Sequence, residues 1–432
     1  MFRHHVYIYK KHNLFQLLID QFYSSCKFLV NKHAVYVTVL ILIISNAIYH
    51  GEFWPFNKVS GQTKLVTHIP YMGVDMKGLY TSTIHNKISQ FHFPENYYND
   101  SFKLITSVGM NHIRFVLYWE AFENDPISFI DELESVASLA DKSGLHVIYD
   151  NHQYHTSSWL DPLKGTGFPP SLFNNKVSYP YGSGGGPANP SAFKWWTNWW
   201  SHNITNAQGI DGWTLQIEFL KRVIKTVESH PSTLGYEILN EPQIQSSDQW
   251  SKIGRYNNLV TNELRKETNK TLVVDMTIPV QFQNPKLNMT SENIAKMLPE
   301  NKENMVFKIS MYGIPTPGGY QAAKLNLLAK TAKTNGIPLY IGEWNDVSRE
   351  ERSIAEPQEV KEINASISDL NQTDALIMLS RFKDIGVWGW AFWNWNFIPD
   401  TTADFNLIVV TPDGTIVPTK YFEILKNAVV DS

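Results

Sequence analysis

Eight short runs rich in Val, Ile, Leu and aromatic residues alternate with helical stretches between Tyr71 and Trp395, and this alternation is the strongest constraint on the fold. The runs are Tyr71 to Met76, His112 to Trp119, His146 to His152, Leu234 to Asn240, Leu272 to Ile278, Met305 to Tyr312, Pro338 to Trp344 and Val387 to Trp395. Segments between them repeat apolar residues at helical spacing, as in Leu220, Val223, Ile224 and Val227. Continuous apolar strands separated by helices require a parallel sheet covered on both faces. Eight such units over roughly 350 residues predict an α/β fold of the closed (β/α)8 TIM-barrel type, with a long insertion, Gln153 to Thr233, after the third strand. An open doubly wound sheet is the alternative. No strand leads into a Gly-x-Gly-x-x-Gly turn, and no Gly-x-Ser-x-Gly elbow or phosphate loop occurs, which favours the barrel.

In such a barrel the chemistry gathers where strands end and the following loops begin. The polar residues there are Arg114 on the second strand, His152 closing the third, Asn240 and Glu241 closing the fourth, and Tyr312, Glu343 and Trp393 at the ends of the sixth, seventh and eighth. Taken singly, each has a structural explanation: a strand-end arginine usually pairs with a carboxylate, and a tryptophan usually belongs to the core. Taken together they define one mouth. Two of them are glutamates about a hundred residues apart, in Asn240-Glu241-Pro242 and Gly342-Glu343-Trp344. Paired carboxylates facing one cleft are what cleavage of a glycosidic bond requires.

The residues around these glutamates also carry a resemblance. Ile113-Arg114-Phe115, Asp150-Asn151-His152, Tyr236 to Pro242, Ile341 to Trp344 and Trp393-Asn394-Trp395-Asn396 resemble, in order and over about Tyr71 to Asn406, glycoside hydrolase family 5, the cellulase-like family. The resemblance implies Glu241 as general acid/base, Glu343 as nucleophile and Asn240 as a contact to the sugar 2-hydroxyl. It further implies that Arg114 and Tyr312 hold the nucleophile ionised and oriented, that His152 binds the sugar beside the scissile bond, and that Trp393 is its stacking floor. Double displacement needs one carboxylate kept ionised and another kept protonated, so the two require different surroundings. Retention also predicts a carboxyl separation of about 5 to 5.5 Å, against roughly 6.5 to 9.5 Å for inversion. One position departs from the family pattern: where the family usually has His-x-Tyr on the sixth strand, this chain has Ser310-Met311-Tyr312.

Other acidic residues are read more conservatively. Glu237 shares strand parity with Glu241 but lies two pleats deeper, which predicts a buried, hydrogen-bonded role. Asp150 is expected to orient a neighbour, and Asp75 to touch substrate. His152 and His155 have a spacing that some metal sites use, but no cysteine or third clustered histidine accompanies them, so neither metal nor cofactor is expected. In the insertion, Trp195, Trp196, Trp199 and Trp200 share one helix face; packing against the barrel is favoured over a substrate platform, with one cleft wall coming from the insertion.

A formal net charge of -4, with 37 basic and 41 acidic residues, gives no electrostatic footprint for nucleic acid. Cys26 is the only cysteine and precedes the barrel, so no disulfide forms within the fold. Ala34 to Tyr49 is an apolar run preceded by Arg3, Lys10, Lys11, Lys27 and Lys32, an arrangement that keeps the N-terminus in the cytoplasm and exports the remainder. At about 1.5 Å per residue the run reaches roughly 24 Å, between a signal-peptide core and a slim anchor for a bilayer of about 30 Å. The expected organisation is a basic cytoplasmic segment at 1–33, a transmembrane or signal-anchor helix at 34–50, a linker at 51–68 and the catalytic barrel at 69–432. The domain is therefore expected outside the cell, anchored, or secreted if the segment is cleaved near Ser45-Asn46-Ala47. Six Asn-x-Ser/Thr sequons, at Asn99, Asn203, Asn269, Asn288, Asn364 and Asn371, agree with export. The functional expectation is a monomeric retaining glycosidase acting on an oligo- or polysaccharide, in the first place an endo-β-1,4-glucanase. A β-mannanase or a hydrolase of glycolipid glycans is the alternative, and Ser310 motivates a non-catalytic glycan-binding barrel as a different class.

Overall fold

The computed structural model describes residues 69–82, 96–162, 165–173, 190–276, 285–345, 372–396, 406–411 and 414–431, all of them in the unit Leu65–Ser432. The expected cytoplasmic segment, anchor and linker lie outside the described residues, as do the sequons at Asn364 and Asn371. Among the described residues no helix is long and apolar enough to cross a membrane.

Eight parallel strands close into a barrel in chain order: β1 (Tyr71–Lys77), β2 (His112–Leu117), β3 (His146–Asn151), β4 (Thr233–Glu237), β5 (Thr271–Asp275), β6 (Met305–Tyr312), β7 (Leu339–Asn345) and β8 (Gly389–Phe392). Because β1 pairs with both β2 and β8, the sheet has no free edge. Each strand falls within one of the expected runs or overlaps it, but several stop earlier. β2 ends at Leu117, and Trp119 instead opens a helix, α2 (Trp119–Asn124), that follows α1 (Tyr97–Ser107). β4 ends at Glu237, so Asn240 and Glu241 lie beyond the ladder rather than on it.

The covering helices start and stop where local chemistry dictates. In α3 (Pro126–Ser143) the Asp125 carboxylate accepts from the Ser128 amide, Pro126 occupies the first turn, where its missing N–H costs nothing, and Gly144 ends the helix in the left-handed region at φ 68°. The Asp211 side chain caps α5 (Gly212–Val227) by accepting from the Trp213 and Thr214 amides. Further helices are α4 (Pro190–Trp200), α6 (Gln249–Leu264), α7 (Ser291–Ala295), α8 (Tyr320–Thr334), α9 (Gln372–Ile385) and α10 (Lys420–Asp431); a hairpin of β9 (Ile408–Val410) and β10 (Ile416–Pro418) precedes the last. Their apolar faces, for example Phe102, Val136, Leu220, Val260, Leu328 and Phe382, are buried against the outer faces of the strands.

Inside the barrel, Ile148, Val273, Val306, Tyr340 and Ala391 form an apolar plug below the polar layer. The four α4 tryptophans are fully buried, Trp195 stacking on Trp199 at 5.3 Å and 12°. Trp196 donates Nε1–H to Thr156 Oγ1 at 2.9 Å, and Trp200 donates to the Gln243 carbonyl at 2.6 Å. The insertion's aromatic face is thus core, and its polar edges brace the loops on either side of the mouth.

Candidate active site

The second strand delivers Arg114 to the barrel axis with no solvent exposure. Its Nε and Nη2 make a fork with Glu237 at 2.7 and 2.8 Å, and Nη2 also reaches Asn240 Oδ1 at 2.8 Å and Asp150 Oδ2 at 2.9 Å. Nη1 is shared between Asp75 Oδ1 at 2.8 Å and Glu343 Oε1 at 3.1 Å. Asp75 is only 1% exposed; its Oδ1 accepts from the guanidinium, and its Oδ2 takes no hydrogen bond among the described residues. Glu237 has the buried, hydrogen-bonded place expected of it.

A second cation lies beside the first. Lys308, on β6, points inward at the same parity as Ser310 and Tyr312 and donates to Asn240 Oδ1 at 2.6 Å, Asp275 Oδ2 at 2.9 Å, Ser310 Oγ at 3.1 Å and Glu343 Oε1 at 3.2 Å. The other oxygen of Glu343 accepts from the Tyr312 hydroxyl at 2.5 Å. Burial alone would raise the Glu343 carboxyl, but Lys308, Arg114, His152 and the Tyr312 hydrogen bond outweigh it and hold the group at about 2. It is the ionised member of this layer.

Asn240 has a fixed orientation because both cations donate to its Oδ1, leaving its amide N–H groups to donate outward to the Gln153 carbonyl at 3.2 Å and toward His152 Nε2 at 3.3 Å. With Nε2 accepting, the ring proton sits on Nδ1, which donates to Asp150 Oδ2 at 2.7 Å. Asp150 therefore orients a neighbour, as expected. Burial pushes His152 down to about 3, so it is a neutral imidazole over the physiological range. One face of His152 is covered by Trp393, at 5.4 Å and 15° between rings.

Glu241 follows β4 with φ 41°, a left-handed conformation that non-glycine residues rarely hold. It is fixed from both sides: its N–H donates to Asp275 Oδ2 at 2.5 Å, and its carbonyl accepts from Gln153 Nε2 at 2.9 Å. The parity assumed between Glu237 and Glu241 does not apply, since the chain leaves the ladder between them. Among the described residues the Glu241 carboxylate takes no hydrogen bond and no ion pair, yet its charge is near enough to Tyr312 to raise that phenol together with Glu343.

A family model described as Cellulase (glycosyl hydrolase family 5) matches residues 73–397, the whole span from β1 past β8. The chain belongs to glycosyl hydrolase family 5. The matched span is the closed (β/α)8 barrel. An endoglycoceramidase from Hydra vulgaris is 24% identical over 34% of this chain and 32% of its own length, so the chain spans about a third of that curated relative. Two solved structures share the barrel: endo-glycoceramidase II from Rhodococcus sp. in complex with a five-membered iminocyclitol, at TM-score 0.59 and 15% identity over 82% of this chain and 78% of that one, and an endogalactoceramidase at 0.57 and 16% over 83% and 80%. These likenesses show the fold.

Of the residues singled out in the sequence, Arg114, His152, Asn240, Tyr312, Glu343 and Trp393 are joined by the contacts above, and Glu241 follows Asn240 with its backbone fixed beside them. Lys308, Asp275 and Gln153 were not read from the sequence. For Lys308 the available signal was a lone charge inside the run Met305 to Tyr312, at inward parity with Tyr312, because lysine is almost never fully buried without a partner. His155 is paired with Asp161 at 2.8 Å, and no cluster able to hold a metal occurs among the described residues.

Proposed function

We propose that this family 5 chain is a retaining, endo-acting β-glycosidase in which Glu343 attacks the anomeric carbon while Glu241 protonates the departing oxygen. Glu241 then takes a proton from water, whose oxygen bonds to the anomeric carbon as the carboxylate of Glu343 leaves. The observation that carries the reading is the convergence of Lys308, Arg114 and Tyr312 on the Glu343 carboxylate, which keeps it a nucleophile when the substrate arrives. Asn240 lies between this carboxylate and His152, toward which one of its N–H groups points, and His152 with Trp393 supplies the floor beside it.

For substrate, the glycan of a glycolipid, cut between sugar and lipid, is the better-supported reading. The endoglycoceramidase and endogalactoceramidase names among the relatives favour it, and an anchor at 34–50 would hold the barrel beside such a substrate. The first expectation, a β-1,4-glucanase, is supported by the family model's description as a cellulase. The two are separated by incubating the full chain with lactosylceramide in detergent micelles, carboxymethyl cellulose, mannan, xylan and mixed-linkage glucan, beside Glu241→Ala and Glu343→Ala. Release of an intact oligosaccharide and ceramide by wild type alone supports the glycolipid reading. Shortening of the glucans with lactosylceramide untouched would replace it by the glucanase, and glycan binding with equal inertness of all three proteins would leave a binding barrel.

A further inference from the structure

We propose that Lys308 is the positioning residue that makes Glu343 a good leaving group in the second half of the reaction; this rests on reading Glu343 as the nucleophile. Arg114 cannot do this alone. Two of its three nitrogens are committed to Glu237, Asn240 and Asp150, and the one nitrogen that reaches Glu343, Nη1, divides its two N–H groups between Glu343 and Asp75. Lys308 adds a second cation on the same oxygen, Oε1, and the Tyr312 phenol serves the other.

Three features show that the lysine is built in. Its stem lies across Gly342, where an added methyl would sit 2.5 Å from both Cγ and Cε of Lys308. Gly342 does not have a positive φ, so its missing side chain is needed for space rather than for backbone freedom. Ser310 is small, and its hydroxyl accepts from Nζ, so the position where the family usually carries an imidazole is left open for the ammonium rising from two residues below. The ammonium also ties the two glutamates together, since Asp275, its partner at 2.9 Å, accepts the Glu241 amide.

The chemistry that follows is specific. When the glycosyl-enzyme breaks, the bond between the anomeric carbon and Glu343 gives its electron pair back to the carboxylate while Glu241 takes the proton of the attacking water. Negative charge reappears within reach of Lys308, so the ammonium stabilises that transition state more than it aids substrate capture. In the free enzyme the same charge keeps Glu343 ionised at low pH.

The test uses the full chain, Lys308→Met, and Lys308→Met/Ser310→His, with 2-deoxy-2-fluoro β-lactosyl and β-cellobiosyl fluorides as traps and an aryl β-glycoside for steady-state rates. We expect Lys308→Met to be labelled still at Glu343 but to reactivate about tenfold or more slowly, with kcat and KM falling together where deglycosylation limits turnover and with the acid limb of kcat/KM moved up by about one pH unit. The double variant, which returns an imidazole to the strand, is expected to recover most of the reactivation rate. A folded Lys308→Met with wild-type reactivation and an unmoved acid limb overturns the proposal. If Lys308→Met does not fold, the double variant decides: recovered turnover supports the role, and a misfolded or slow double variant overturns it. Wild type that takes no label on Glu343 strikes the retaining mechanism itself, whereas normal wild-type labelling with an indifferent lysine strikes only this inference.

Discussion

Five carboxylates, Asp75, Asp150, Glu237, Asp275 and Glu343, share one buried layer in which, among the described residues, Arg114 and Lys308 are the cations paired with them. Not all five can be charged. Burial, opposed by Arg114 and Lys308, leaves Asp150 at about 7 and pushes Asp75 and Asp275 well above the usual range, whereas Glu343 alone among them is lowered. The difference lies in contacts: Glu343 receives both cations and a phenol. Tyr312→Phe removes one charge-assisted hydrogen bond, worth about 1.5–3 kcal/mol, so we expect kcat/KM to fall roughly ten- to a hundredfold and its acid limb to rise. An unchanged limb in that variant argues against the phenol's part. Glu241→Ala should cost about 10²–10⁴-fold on a substrate with a poor leaving group and much less on a dinitrophenyl glycoside, which leaves without a proton. Equal losses on both substrates would mean that Glu241 is not the acid. Arg114, Glu241 and Glu343 were singled out in the sequence by the short motifs around them, although Arg114 sits inside β2 and Glu241 beyond β4. Lys308 and Asp275 were not, because each is a single charge inside an apolar run and its partner comes from another strand.

At the scale of elements, the barrel register is interrupted where the chemistry needs it. The β6–β7 pairing shifts between Ile309 and Ser310, and the β7–β8 pairing shifts between Ile341 and Trp344. Tyr340 and Gly342 face the interior in turn, and the irregularity brings Glu343 inward as well, while Trp344 packs outward on Phe382 and Phe392. Period-two reading of the strands cannot foresee such a break, so the strands were legible and the exact aim of this glutamate was not. Gly342→Ala tests the arrangement. The added methyl displaces the Lys308 stem, and we expect a kcat loss in steady-state kinetics that is absent when Gly342→Ala is placed on Lys308→Met. Additive losses in the two backgrounds would show that the glycine serves something else. The α4 tryptophans were legible as one helix face, and burial settles their role as packing. Trp199→Ala should therefore cost about 3–5 kcal/mol in denaturant unfolding while leaving the acid limb of activity where it is. A shifted limb would give the insertion a part in tuning the site.

For the whole molecule, the closed barrel with its insertion was legible from eight alternating units, and the family match over residues 73–397 agrees with it. The buried layer gives the molecule a characteristic pH dependence. Asp150 and Glu120, both raised by burial to about 7, and Asp75 and Asp275, which burial raises well above the usual carboxylate range, hold protons in the folded state that the unfolded chain has lost. Their stabilisation is present below the unfolded carboxylate values and is lost as pH rises through the folded ones. His112 and His152, lowered by burial to about 3, act oppositely, but only below their unfolded value of 6.5. Glu343 contributes above 4.5 and loses its contribution as pH falls toward 2. Lys77, lowered by burial to about 7, opposes the carboxylates above that pH but is outnumbered. We expect the thermal midpoint to fall between about pH 6.5 and 8; a midpoint that rises over this range contradicts the protonated layer.

The most direct measurement is to trap the glycosyl-enzyme with a 2-deoxy-2-fluoro β-glycosyl fluoride, digest it and locate the added sugar by tandem mass spectrometry. One sugar per chain, on the peptide bearing Glu343 and absent from Glu343→Gln, is the expected result. A label on Glu241 or any other residue, or hydrolysis with inversion at the anomeric carbon and no label at all, would contradict the double displacement.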